Sequence, residues 1–412
     1  LPRISNIPNI EYLRKNGLQM KQAHTASPMC GTSRYSTISG RYPSRSSRGR
    51  LWDSDEDIRN VEIPRTKLLD TNDISDGQDC SRSNIAQAFK SGGYRTGMVG
   101  KWHLSSWHDF DYSELQDTVR ACGFDVAEAV YPHNPIGEWA SVYGYEVEHN
   151  MEHVAAEAIS FIDGAVQDNE NFFLYLNPTV PHVSSDVSST LEHGDCRQSV
   201  AGWIPTPRIP RGKYSDLIFE NCTEYRQTVR DRADTWNDKE LGMIWIDDAM
   251  GWIMDELQYH DILHNTFILF QQDHGQEGKG TLFEQGVHIA QFIHYPEKFP
   301  PGSTFDGLVS TIDIGPTVLD IAGITPNYKM DGKSWANAAI SNNQATLNSW
   351  RERCIFYELQ QDRVVQCGCD VYMRIIGVNE TSWTRSLPLI WTNSEPTLSS
   401  GEDQLYNMCA NG

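Results

Sequence analysis

The sequence predicts an α/β protein: a large, mostly parallel sheet flanked by helices, with a smaller antiparallel sheet at the C-terminal end. Three observations lead there. Short apolar runs alternate with helical stretches, titratable residues collect just after those runs, and the texture changes near residue 330. The first is the signature of a parallel sheet covered on both faces. The second is where open sheets of this kind place their ligands.

The apolar runs are Gly97-Met-Val-Gly100, Phe172-Phe-Leu-Tyr-Leu-Asn177 and Phe267-Ile-Leu-Phe-Gln-Gln272. Each is short enough for a buried parallel strand. Helical patterns at 83–90, 154–166 and 240–259 precede them in turn, the last with Ile244, Trp252, Ile253 and Leu257 among its apolar positions. Beyond residue 330, Cys354-Ile-Phe-Tyr-Glu-Leu359, Val371-Tyr-Met-Arg-Ile-Ile376 and Leu387-Pro-Leu-Ile-Trp391 predict the antiparallel sheet. The expected division is therefore a catalytic domain at 1–330 and a C-terminal subdomain at 331–412. Polar stretches at 44–57 and 184–216 read as surface insertions, the second shaping access to a site.

Composition narrows the class. A chain of 412 residues can bury one large core, or a large and a small one. Hydrophobic content of 39% and 12 Trp exclude a disordered chain. A formal charge of −21 argues against a nucleic-acid partner, which demands a basic surface. No run of about 18 apolar residues occurs, so no membrane span is read. The opening Leu-Pro-Arg-Ile-Ser lacks the basic-then-apolar run of a signal peptide. The nine cysteines, at 30, 80, 122, 196, 222, 354, 367, 369 and 409, fit no zinc-finger spacing. With two sequons, Asn221-Cys-Thr223 and Asn379-Glu-Thr381, they favour an oxidising, secretory setting, extracellular or lysosomal. If Cys30 is reserved for chemistry, eight remain to pair.

The segment Cys30-Gly-Thr-Ser-Arg34-Tyr-Ser-Thr-Ile-Ser-Gly40 predicts a short helix that Cys30 opens and Gly40 stops. Cys30 and Arg34 then share a face, at a helix end whose free N–H groups favour an anion. The run after Gly97 leads into Gly100-Lys101-Trp-His103; if extended, Lys101 and His103 point to one side and Trp102 to the other. The Phe172 run leads to Pro181-His182, and the Phe267 run to Asp273-His274-Gly275. Next comes Gly278-Lys279-Gly-Thr-Leu-Phe-Glu284-Gln-Gly286-Val-His288, with glycines that let backbone approach a ligand. Together these residues describe a cationic pocket with a nucleophile and a hard-cation ligand, as transfer of a sulfuryl or phosphoryl group requires.

These residues resemble the type I sulfatases of the alkaline-phosphatase-like superfamily. Cys30-Gly-Thr-Ser-Arg34 with Ile38-Ser-Gly40-Arg41 is similar to the family pattern Cys-x-Pro-Ser-Arg followed by Leu-Thr-Gly-Arg. Gly93-Tyr-Arg-Thr96 with Gly100-Lys101-Trp-His103-Leu104 resembles its second signature, and the blocks around His182, Asp273 and Lys279 follow in family order. The resemblance implies a sulfuric ester hydrolase whose Cys30 is oxidised to formylglycine by a formylglycine-generating enzyme. Arg34 would hold the aldehyde hydrate. Asp273 and His274, with residue 30, would contact Ca2+, with Mg2+ as the alternative. Lys101, Lys279 and His182 would bind sulfate and protonate the leaving alcohol. His103 would take the proton that expels sulfate. The implied substrate is a small-molecule or carbohydrate sulfate ester. On the same scaffold, a phosphate or phosphonate ester hydrolase, or a noncatalytic binder with unmodified Cys30, would share the pattern.

The chain departs from the family at several places. Thr32 occupies the position of the proline that the maturation enzyme reads, and His288 that of a common arginine. No strand with paired aspartates precedes Cys30, where Glu11 is the one acid, and the chain stops just after Asp403-Gln-Leu-Tyr-Asn407. The expectation is a fragment at both ends that is itself inactive.

Overall fold

The computed structural model describes residues 6–46, 83–104, 111–135, 147–182, 187–341, 343–359, 362–374 and 403–407. The expected strand at 387–391, the sequon at Asn379, Cys80 and Cys409 lie outside them. The strands in chain order are β1 (Leu18–His24), β2 (Arg95–Lys101), β3 (Val126–Tyr131), β4 (Phe172–Asn177), β5 (Gln198–Ser199), β6 (Gly202–Trp203), β7 (Ile268–Gln271), β8 (Gln291–His294), β9 (Thr304–Ser310), β10 (Cys354–Leu359), β11 (Asp362–Cys367), β12 (Asp370–Arg374) and β13 (Asp403–Asn407). They fall into two compact units, each drawn from three segments: Leu1–Gly17, Ala86–Ile268 and Ile293–Gly302, then Leu18–Ile85, Leu269–Phe292 and Ser303–Gly412.

In the first unit β2 lies between β3 and β4, and both pairings are parallel. The helix Met151–Gln167 packs on this sheet. It buries Val154, Ala158, Phe161, Ile162 and Ala165, an apolar stripe at helical spacing. Asn150 starts it, its side chain accepting from the His153 N–H at 2.9 Å. Asn237 caps Asp238–Tyr259 in the same way, through the Glu240 N–H at 2.9 Å. The short helix Pro8–Lys15 is capped from a distance: the Asp247 carboxylate accepts from the Ile10 N–H at 2.7 Å and the Asn9 N–H at 3.3 Å. Those N–H groups lack partners within their own helix.

The stretch 184–216 is more than the surface insertion that its polarity suggests. It carries the helix Val187–His193 and the β5–β6 hairpin, and buries Val187, Leu191, Cys196, Val200 and Ile209. Cys196 is bonded to Cys222 of the helix Ser215–Asp231. The buried pair Arg226–Glu152 (3.0 Å) adds a second tie, because Arg226 also donates to the Thr190 carbonyl at 3.2 Å. The sequon residue Asn221 is exposed at a kink in Ser215–Asp231, where it accepts from the Glu224 N–H.

The second unit holds a sheet of order β7-β8-β1-β9, with β1 and β9 parallel, and the antiparallel sheet β10 to β13. Cys354–Cys367 joins β10 to β11, and Cys122 and Cys369 are also disulfide-bonded. Ile355, Tyr357, Val364, Val371 and Met373 of the antiparallel sheet pack on Leu282, Val287 and Leu308. The runs expected to be fully buried, β4 and β7, are half-buried along their length. Among the described residues each is the last strand of its sheet, so one flank carries no neighbour there.

Candidate active site

Cys30 opens the helix Cys30–Ser39, which ends at Gly40 in the left-handed conformation (φ 66°), as its sequence predicts. All ten residues of this helix are buried although it is rich in hydroxyls. Ser36, Thr37 and Ser39 donate back to the carbonyls of Thr32, Ser33 and Tyr35, so burial leaves these hydroxyls satisfied. Flanking bonds fix the helix within its unit. Ala26 N–H donates to Thr311 Oγ1 at 3.0 Å, and the Gly40 carbonyl accepts from the Asp331 N–H at 2.9 Å.

Around Cys30 the second unit gathers four of the other predicted residues. Its Sγ is 3.2 Å from His274 Nε2, and Arg34 Nη2 is 3.6 Å from Asp273 Oδ2. Cys30, Asp273 and His274 each offer a ligand atom, all within 4.8 Å of one another. Ser33 joins helix to loop by donating to the Asp273 carbonyl. His274 Nδ1 faces the Gly275 carbonyl at 2.9 Å, which turns Nε2 toward the sulfur. Burial alone would lower the His274 pKa. The Asp273 carboxylate and the Cys30 sulfur outweigh it and push the imidazole up to about 9. Lys279 lies close enough for its charge to oppose that protonation.

The Lys279 loop differs from its expected use. Gly278 packs against backbone of its own loop: a Cβ there would stand 2.5 Å from the Gly286 nitrogen. Gly280 donates to the Pro28 carbonyl at 3.0 Å, tying this loop to the approach to Cys30. The close approach that glycine permits is thus of backbone to backbone.

The first unit holds Lys101, His103 and His182. Lys101 ends β2 and is buried. The chain is not extended through this segment: Gly100 (φ 93°) and His103 (φ 59°) are left-handed, and the β2–β3 register shifts at Gly100. The expected alternation of Lys101 and His103 against Trp102 therefore does not apply, and all three are buried. The His103 ring meets that of His133 edge-on at 4.3 Å. His182 follows a cis peptide at Val180–Pro181 and is half-buried. Both His182 and Lys101 act on His149. Burial first, then their two charges, push the His149 imidazole down to about 3, while its Nδ1 lies 2.7 Å from Thr179 Oγ1.

Sequence reasoning missed His133, His149 and Thr179. A signal existed for the first, since Pro132-His133-Asn134-Pro135 follows β3. Glu128 interrupts that strand's apolar run, and the strand passed unread.

The donor set around Cys30 suits a divalent cation: one carboxylate, one imidazole and the position-30 side chain, with Asp273 partly open to solvent. An α/β scaffold with a candidate metal-binding cluster is the class that fold and site define. The sequence profile of the family described as Sulfatase matches residues 2–324. The chain belongs to the sulfatase family. It is similar to the uncharacterized sulfatase YdeN of Escherichia coli K12 (24% identity, 79% of this chain, 56% of the relative). It is likewise similar to human N-acetylgalactosamine-6-sulfatase (24% identity, 77% of this chain, 58% of the relative). The chain thus spans somewhat over half the length of these relatives. In fold it is similar to BT33336S-sulf, from a glycosaminoglycan-metabolism locus of Bacteroides thetaiotaomicron, with TM-score 0.66 and 18% identity over 98% of this chain and 88% of the other.

Proposed function

We propose that the whole protein is a formylglycine-dependent sulfatase, hydrolysing a small-molecule or carbohydrate sulfate ester to an alcohol or phenol and sulfate. The observation that carries this reading is Cys30 at a buried helix start, its sulfur 3.2 Å from His274 with Arg34 beside Asp273, in a chain of the sulfatase family. Cys30 is oxidised to formylglycine by a formylglycine-generating enzyme, and water adds to the aldehyde to give a hydrate: one hydroxyl attacks sulfur, and the second later loses its proton as sulfate leaves and the aldehyde returns. Asp273, His274 and residue 30 hold the divalent cation, Ca2+ or in its place Mg2+. When bound, the ion withdraws charge from the ester oxygens. Arg34 holds the nucleophile in place and offsets negative charge beside it. Lys101 and Lys279 bind sulfate oxygens, His182 donates the proton to the leaving oxygen, and His103 accepts the proton that releases sulfate.

The relative named as an N-acetylgalactosamine-6-sulfatase supports a carbohydrate substrate. The disulfides support a secretory, extracellular or lysosomal location. The test uses full-length protein whose residue-30 aldehyde is verified by mass spectrometry. With calcium it should release sulfate from a chromogenic aryl sulfate and act more slowly on the matched phosphate. No turnover with aldehyde and calcium both present would defeat the reading.

A further inference from the structure

A second cluster in the same unit takes no part in that chemistry. His24, the last residue of β1, is fully buried. Glu284 and His288 lie four residues apart across the turn Glu284–Val287, hence on one side of it. Each of the three offers a ligand atom, and all lie within 4.8 Å of one another. His24 Nε2 is buried with no hydrogen-bond partner, 3.6 Å from Glu284 Oε2, which is in the same position. His288 Nδ1 is 2.7 Å from the other carboxylate oxygen. The two imidazoles stack with centroids 5.0 Å apart.

The gap at His24 is too long for a good N–H···O bond, which spans about 2.7–3.2 Å. It is close to the edge of a tetrahedron around zinc, about 3.4 Å for bonds of about 2.0–2.1 Å. The outer ring nitrogens carry the supporting pattern. His24 Nδ1 faces the Gln22 carbonyl at 3.3 Å, and His288 Nε2 faces the Lys21 carbonyl at 3.2 Å. A carbonyl on the far nitrogen fixes the tautomer that turns a lone pair inward, as metal-binding histidines require. Glu284 and His288 side chains are 42% and 36% exposed, so one side is open for entry and for a fourth, water ligand.

We propose that His24, Glu284 and His288 bind one divalent transition-metal cation of the zinc class, at a structural site separate from the Cys30 cluster. The ion clamps the end of β1 to the Glu284–Val287 turn. Two backbone bonds already join them, Thr25 N–H to the Val287 carbonyl (2.8 Å) and Ile289 N–H to the Ala23 carbonyl (2.9 Å). The residues after His24 lead to Cys30, and the turn follows the Lys279 loop. The clamp thus holds both approaches to the Cys30 cluster.

The test is zinc titration of the chelator-stripped full chain against a chromophoric competitor, with metal content by mass spectrometry and melting temperature with and without zinc. Asp273→Asn impairs the other cluster and should keep one tight equivalent and the zinc-dependent rise in melting temperature. His288→Arg keeps a cation beside Glu284 but removes a ligand, and His24→Gln removes the other imidazole. Each should lose that equivalent, or bind it at least about tenfold more weakly, and lose the rise. The proposal is overturned if the wild type or Asp273→Asn takes up no tight zinc. It is equally overturned if both histidine variants retain it. Should His288→Arg fail to fold, the wild-type stoichiometry and His24→Gln decide.

Discussion

Removing the Arg34 guanidinium should slow turnover far more than it weakens substrate binding. Arg34 is buried one helical turn from Cys30, with Nη2 3.6 Å from Asp273 Oδ2. At an effective dielectric of about 20, that separation corresponds to roughly 4–5 kcal/mol. Asp273 is 32% exposed, so solvent screening reduces the figure to about 2 kcal/mol. Loss of one donor aimed at developing charge costs about 3–4 kcal/mol where it has been removed from other enzymes. Between these bounds Arg34→Ala should lower kcat by about 30- to 1000-fold. Arg34→Lys keeps the charge without the planar fork and should lose less, nearer about tenfold. On the proposed maturation Arg34 would also lie in the segment that a formylglycine-generating enzyme reads, so the assay is aryl sulfate turnover per mole of aldehyde, with the aldehyde counted by mass spectrometry. If Arg34→Ala kept kcat per aldehyde within about twofold of wild type, the role given to this side chain would be wrong.

Two further outcomes concern maturation and the pH dependence of stability. Thr32→Pro should raise the aldehyde fraction at Cys30 when the chain is coexpressed with a formylglycine-generating enzyme. Thr32 lies in the first helical turn, where proline is tolerated, and the change loses the 2.7 Å bond to Ser27, about 1 kcal/mol; an unchanged fraction by mass spectrometry counts against it. Burial raises the Asp247 carboxyl from 3.8 to about 6. The folded state therefore holds this proton more tightly, and the stability it contributes is present below pH 3.8 and lost as pH rises through about 6. Unfolding free energies from urea titrations at pH 4 and pH 7 should show the wild type losing up to about 3 kcal/mol relative to Asp247→Asn over that interval, and a pH-independent difference would refute the linkage.

Much of the scaffold was legible because its local signals agree with its tertiary use. The run Phe172–Asn177 is a strand with those bounds, and the helix Cys30–Ser39 starts and stops where cysteine and glycine place it. Amphipathic periodicity could not have revealed that this helix is buried on every side, since Ser36, Thr37 and Ser39 are satisfied by its own carbonyls. β1 went unread because Lys21 and the two glutamines break its apolar pattern, and β11 because Asp362, Arg363 and Gln366 do the same. Of the candidate residues, Cys30 and Arg34 are marked by helical spacing and Asp273 and His274 by their place after an apolar run, and the four lie together. Ser33 and His149 are set by contacts between distant segments, Ser33 with the Asp273 carbonyl and His149 with Thr179, and no local pattern announces those.

The interleaving of six segments into two units has a practical corollary for anyone cutting this polypeptide. The backbone passes from one unit to the other five times, so no single contiguous gene fragment encodes either. A C-terminal truncation that spares the cysteine helix removes elements of both halves once it passes residue 302. Grafting one half onto another scaffold means transplanting three separate stretches of sequence, and a protease nick at any of the three inner passages leaves each half holding portions of both cleavage products.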